Sequence, residues 1–187
     1  LVGSEMCIRD RSKGFRYCRT NKSSFRFMIT SFSQMDKSSR IWIYQSNRKL
    51  IDSEIVEIEV MLNDFLSIWT AHGNELRTAF QIKYKRFIII ALNESSTAVT
   101  GCSIDSCVHF IQQLESKYEI NLLDKMNISF KQGEFISHKS IYDFKKLVKN
   151  KSVSRKTIVF NNLVTDISDF IENWEVPAEK SWHARFF

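Results

Sequence analysis

Residues 75–93, ELRTAFQIKYKRFIIIALN, decide how the rest of the chain reads. Two runs rich in aliphatic, β-branched and aromatic residues, ELRTAFQIKY and RFIIIALN, are divided by the charged pair Lys85 and Arg86. The simplest arrangement is a β-hairpin turning about residues 84–86. FIIIAL, the longest apolar stretch, has the length of a strand and falls far short of the ~20 apolar residues of a membrane span.

Upstream, RIWIYQS (residues 40–46) alternates Ile41 and Ile43 against Trp42 and Tyr44, so both of its faces are suited to burial. A helix follows. Asp52 or Ser53 suits its cap, and Ile55, Ile58, Leu62, Phe65, Leu66 and Trp69 recur at three- and four-residue intervals, with Gly73 placed to end it. Downstream of the hairpin, SIDSCVHFIQQLESKY carries one apolar stripe through Ile104, Cys107, Val108, Ile111, Leu114 and Tyr118, a second helix. MNISFKQ is then a strand, with Gly133 turning the chain into EFISH. The order β-α-β-β-α-β predicts an α+β protein with a ferredoxin-like core, an antiparallel sheet with both helices on one face. Beyond it come a basic helix (SIYDFKKLVKNK), a strand (TIVFNNL), a helix over 166–174 that Thr165 can cap, and the aromatic tail WEVPAEKSWHARFF.

The first residues read differently. LVGSEMCIRDR has neither amphipathic period nor signal-like apolar run and resembles the translated end of a sequencing-library adaptor; the Ser-, Lys- and Arg-rich stretch after it resembles translated upstream DNA. We therefore expect a non-native leader over residues 1–34, a native start at Met35 in preference to Met28, and a single domain over 35–187. The leader contributes +5 of the formal net charge of +6. A nearly neutral domain gives no electrostatic reason to expect nucleic acid or an anionic membrane as a partner. Cys7 and Cys18 fall in the leader, and the remaining Cys102 and Cys107 have no second ligand pair, so we expect no zinc site and a reducing, cytoplasmic location.

The blocks RIWIYQSNR, WTAHGNEL, TGCSIDSCVHFI, FNNLV and NWEVPAEKSWHARFF resemble a family of small bacterial proteins that often carry the label "ABC transporter ATPase", and the likeness runs from about Ser39 to the C-terminus. ATP hydrolysis of that type needs a G-x-x-x-x-G-K-[ST] loop, whose closely spaced amides surround the phosphates. The five glycines stand at 3, 14, 73, 101 and 133, and none begins or ends such a loop. The label is therefore disfavoured on chemical grounds.

The candidate site is the loop and helix start over residues 93–105, NESSTAVTGCSID. A first helical turn has unpaired N–H groups and partial positive charge, so Thr100, Gly101, Cys102 and Ser103 are placed to hold a small anion, and Cys102 is the candidate nucleophile. Asp105 and His109, four apart, share a helix face, and His72, Trp182, His183 and Arg185 are candidate distant contributors. Each has a plain structural use as well: Cys102 as a small apolar residue, Ser103 or Asp105 as a cap, His72 at a helix end, the tail aromatics as docking surface. Cys102 and His109 are almost two turns apart, too far for direct proton transfer, so catalysis stays open and no cofactor is specified. The expected function is binding of a small anionic ligand; the alternative is a non-catalytic module meeting a protein or nucleic acid through its sheet or through Lys145, Lys146, Lys149, Lys151, Arg155 and Lys156.

Overall fold

The computed structural model describes residues 31–71, 74–75, 77–95 and 99–187. The expected hairpin organises it. β4 (Arg77–Lys83) and β5 (Phe87–Asn93) are joined by the three residues 84–86, with Tyr84 and Lys85 both at positive φ (54° and 51°) and the Arg86 N–H donating to the Lys83 carbonyl at 3.0 Å. β1 (Arg40–Gln45) pairs antiparallel with the other edge of β5, Trp42 opposite Ile90 and Tyr44 opposite Ile88, giving the sheet order β1-β5-β4. Every residue of β5 is buried because both faces of this sheet are covered.

α1 (Asp52–Ile68) and α2 (Gly101–Tyr118) cover one face. Ile58, Leu62 and Leu66 of α1 and Cys107, Phe110, Ile111 and Leu114 of α2 pack with Tyr44, Ile88, Ile90 and Leu92. Full burial of each large apolar side chain contributes roughly 1.5–3 kcal/mol, so this layer is a principal source of stability. The chain is thus α+β, with β1, α1, β4, β5, α2 and β6 (Asn127–Gln132) in the expected order and both long helices on one side. The small β2 (Thr70–Ala71) and β3 (Asn74–Glu75) pair with each other.

β6 does not lie along β1. The turn at Gly133 (φ 58°) gives it a local partner in β7 (Phe135–Ser140), and β8 (Ile158–Phe160) and β9 (Glu175–Pro177) complete a second antiparallel sheet in the order β7-β6-β8-β9. Pro177, which has no N–H to donate, falls on the edge strand. With partners on both of its own edges, β6 is drawn away from the first sheet. α3 (Ile141–Lys149) packs Phe144 onto Phe130 of β6. The second face of the β1-β5-β4 sheet is covered from this side: Ile41, Phe87, Ile89 and Ala91 meet Phe160, Val164 and the α4 (Ile167–Asn173) residues Ile167 and Phe170, with Trp174 between them. Met35 is buried in the same layer, and Phe32 packs edge-on against Phe170 at 6.0 Å, so packing extends ahead of Met35.

The helix caps differ from expectation by a residue or more. At α1 neither Asp52 nor Ser53 caps; Glu54 reaches back to accept from the Ile51 N–H at 3.0 Å while held by Arg48 at 2.6 and 2.8 Å. At α4 the cap is Asp166, which accepts from the Asp169 N–H at 2.8 Å, in place of Thr165. α1 ends at Ile68 because the chain is taken up by β2; Gly73 lies outside the described residues. Among the described residues no helix is long and apolar enough to cross a membrane.

Candidate functional site

The start of α2 is built as a capped helix. Thr100 Oγ1 accepts from the Ser103 N–H at 3.2 Å and lies 2.8 Å from the Ser103 hydroxyl, and the Ile104 N–H donates to the Thr100 carbonyl at 3.0 Å. The cap is therefore Thr100, where Ser103 or Asp105 was the expected structural alternative. The Ser103 carbonyl receives the Trp69 indole N–H at 2.9 Å, which fixes α2 against the end of α1. The amides of Gly101 and Cys102 have no acceptor among the described residues. Cys102 is exposed and, with Thr100, Ser103, Ser106, Phe65, Ile68 and Trp69, lines a cleft of about 350 Å³ open to solvent.

The other expected contributors do not gather there. Asp105 and His109 are exposed, and His109 Nδ1 is 3.0 Å from Gln112 Oε1; no hydrogen bond joins it to Asp105. His72 lies outside the described residues. The tail packs on the second sheet: Trp182, Phe186 and Phe187 surround the layer formed by Ile128, Phe130 and Phe144. His183 is buried, its ring stacked on Trp182 (4.0 Å between centroids) and its Nδ1 2.8 Å from Ser181 Oγ. Burial, with the neighbouring Arg185 cation second, pulls its imidazole pKa down to about 4, so the ring is neutral at pH 7. Arg185 lies over Trp182 and Phe186, at 4.7 and 5.0 Å from the ring centroids. Cys107 is buried beside the Tyr44 hydroxyl (3.6 Å), and burial raises its thiol pKa, the opposite of nucleophile activation.

A more enclosed cavity, about 260 Å³, lies along the outer edge of β1. Its walls come from residues 41–45, from 122–125 and 127 ahead of and at the start of β6, from 160 and 162–165 between β8 and α4, and from Trp182 and His183. This is the edge from which β6 has turned away. A relay of amides braces it: Trp174 Nε1 donates to Asn162 Oδ1 (3.0 Å), Asn162 Nδ2 to Gln45 Oε1 (2.9 Å), and Gln45 Nε2 to the Asn127 carbonyl (2.9 Å). Asp124 is already engaged by the Met126 N–H at 2.8 Å and by Asn127 Nδ2 at 2.6 Å. The wall is thus mainly apolar with a few fixed polar groups, the usual make-up of a small-molecule site. Among the described residues no group of three or more His, Cys, Asp or Glu side chains is arranged to hold a metal ion.

Of the expected site residues, Trp182 and His183 line this cavity; Thr100, Cys102 and Ser103 line the separate cleft. Gln45 and Asn162 carry the relay and were not among the expected ones. The available signal was a glutamine ending an otherwise apolar strand and an asparagine pair directly after another. No known protein family, curated protein or solved structure matches the chain.

Proposed function

We propose that the chain is a binding domain for a small molecule, with the ligand in the cavity along the outer edge of β1. The observation that carries this reading is the cavity itself: a partly enclosed, largely apolar volume at the junction of the two sheets, with side-chain amides held in fixed orientation by the relay from Trp174 to Asn127. Sites of this make-up exclude water from most of a ligand's surface and orient it through a few polar contacts. On cysteine usage we assign the protein to the cytoplasm. Catalysis is not part of the proposal.

A second reading, an anion held at the start of α2, is favoured by the unpaired amides of Gly101 and Cys102 above the open cleft. One experiment separates the two. Fragments and small anions are titrated into ¹⁵N-labelled protein and the shifted amides mapped. Shifts centred on residues 41–45, 122–127, 162–165 and 182–183 support the cavity. Shifts confined to 100–106 select the second reading, and the absence of any mapped binder to the cavity rejects the first.

A further inference from the structure

The edge of β1 says more about the ligand than the shape of the cavity does. In an antiparallel pair, residues alternate between those whose N–H and C=O both face the neighbouring strand and those whose groups both face away. Two fixed points set that alternation here. The Ile41 N–H meets the Thr165 carbonyl at 2.9 Å across the outer edge, and the Ser46 N–H meets the Arg86 carbonyl at 2.9 Å on the inner side. Ile41, Ile43 and Gln45 therefore present their backbone outward, while Trp42 and Tyr44 exchange bonds with Ile90 and Ile88. All five line the cavity. Among the described residues the N–H and C=O of Ile43 have no hydrogen-bond partner, and they stand side by side on the stretch of edge that borders the cavity.

Both ends of this stretch are pinned. At one end the Ile41 N–H to Thr165 bond and the Ile167 N–H to Ser39 bond (3.1 Å) form an isolated bridge; at the other, the Gln45 side chain ties β1 to the start of β6. Ile43 lies midway between, where a fourth strand of a ferredoxin-like sheet would pair. A ligand that pairs with both groups replaces solvent there with two hydrogen bonds, each contributing roughly 0.5–1.5 kcal/mol net, and is preferred to one that pairs with neither.

We infer that the cavity selects a planar nitrogen heterocycle with an acceptor and an N–H donor adjacent on one edge, as purine and pyrimidine bases have, and pairs that edge with the Ile43 N–H and C=O. The inference rests on the cavity reading above. Three features fix the class. A volume of about 260 Å³ lies just below the roughly 300–1,000 Å³ of pockets for drug-sized ligands, which limits the occupant to one ring or two fused rings. The lining offers no unengaged carboxylate, since Asp124 is already bonded, and the His183 ring is neutral, so a cationic ligand gains little, while the exposed Lys125 is the lining's one lysine or arginine. The side-by-side donor and acceptor of one residue exchange both hydrogen bonds with whatever lies opposite, a two-point contact that a flat amide-like edge completes.

The test is calorimetric titration of the full chain with 9-methyladenine and 1-methyluracil, each against the analogue whose remaining N–H groups are methylated, N6,N6,9-trimethyladenine and 1,3-dimethyluracil. At least one of the first pair is expected to bind, and its methylated analogue to bind at least tenfold more weakly. Ile43→Pro removes the outward N–H and leaves the bonds of Trp42 and Tyr44 to β5 in place, so it should lower affinity beyond the loss in Ile43→Ala, which shortens the side chain alone, whereas Ile43→Val should retain affinity. If the proline variant does not fold, the methylated pairs decide alone. Equal binding of methylated and unmethylated compounds overturns the edge contact while leaving the cavity reading standing. Failure of all four, with other fragments mapping to the cavity, overturns the heterocycle class only; failure of every fragment to map there overturns the cavity reading itself.

Discussion

Asn162 and His183 show how single side chains hold the cavity's walls. Asn162 accepts from the Trp174 indole and donates to Gln45, so Asn162→Ala leaves a buried N–H and a glutamine oxygen without partners. The expected cost is about 2–3 kcal/mol of unfolding free energy, read by urea denaturation. His183 is held neutral, with a folded pKa of about 4 against an ordinary 6.5. Between those values the unfolded chain binds the extra proton first, so the contribution is complete above about pH 6.5 and declines as pH falls towards 4, by about 3 kcal/mol in all. Burial lowers the His138 pKa too, so the same trend has a second source. Comparison of His183→Phe with the parent at pH 7 and pH 4.5 isolates the first: the variant should lose less stability on acidification than the parent does.

At the scale of elements, two helix ends permit clear predictions. Thr100→Ala removes the acceptor for the Ser103 N–H at the start of α2 and should lower stability by about 1 kcal/mol, while Cys102→Ser, at an exposed position, should leave the thermal midpoint unchanged. Glu119, just past the end of α2, holds φ 51° and its N–H donates to the Glu115 carbonyl. A glycine there meets no Cβ penalty, so Glu119→Gly should raise stability by about 0.5–1 kcal/mol in the same assay. The elements themselves were legible in the sequence because each has a local cause: the period of apolar positions in α1 and α2, the uninterrupted apolar run of β5, the charged turn between β4 and β5. Caps were less legible. Whether Thr100 or Ser103, Asp166 or Thr165 supplies the capping oxygen depends on where the backbone leaves its extended conformation, a matter of one residue that composition does not encode.

The whole molecule is held together at a seam of rings. Tyr84, Phe87, Phe160, Phe170 and Trp174 pack with centroid separations of 4.7 to 6.4 Å, joining the first sheet to β8 and α4. Trp174→Ala should cost about 3–5 kcal/mol, and far- and near-UV signals should still be lost together, since the seam belongs to both sheets. At this scale the sequence said least. The cavity draws its walls from four separated stretches of chain, and its distinctive polar groups are the backbone of an isoleucine, which no residue type announces. Nor does periodicity reveal that β6, given partners on either side by the turn at Gly133 and by β8, would leave the β1 edge uncovered. Trp182 and His183 were legible as notable residues, but their distance from α2 follows from how the tail packs on β6 and α3.

The relay from the Trp174 indole through Asn162 and Gln45 to the Asn127 carbonyl has a practical consequence. A ligand at the β1 edge, bound as proposed, would sit against Gln45 and Asn162, and its arrival would alter the surroundings of a tryptophan that does not line the cavity. The resonance of that indole proton would then make the protein its own indicator of occupancy, without any attached dye.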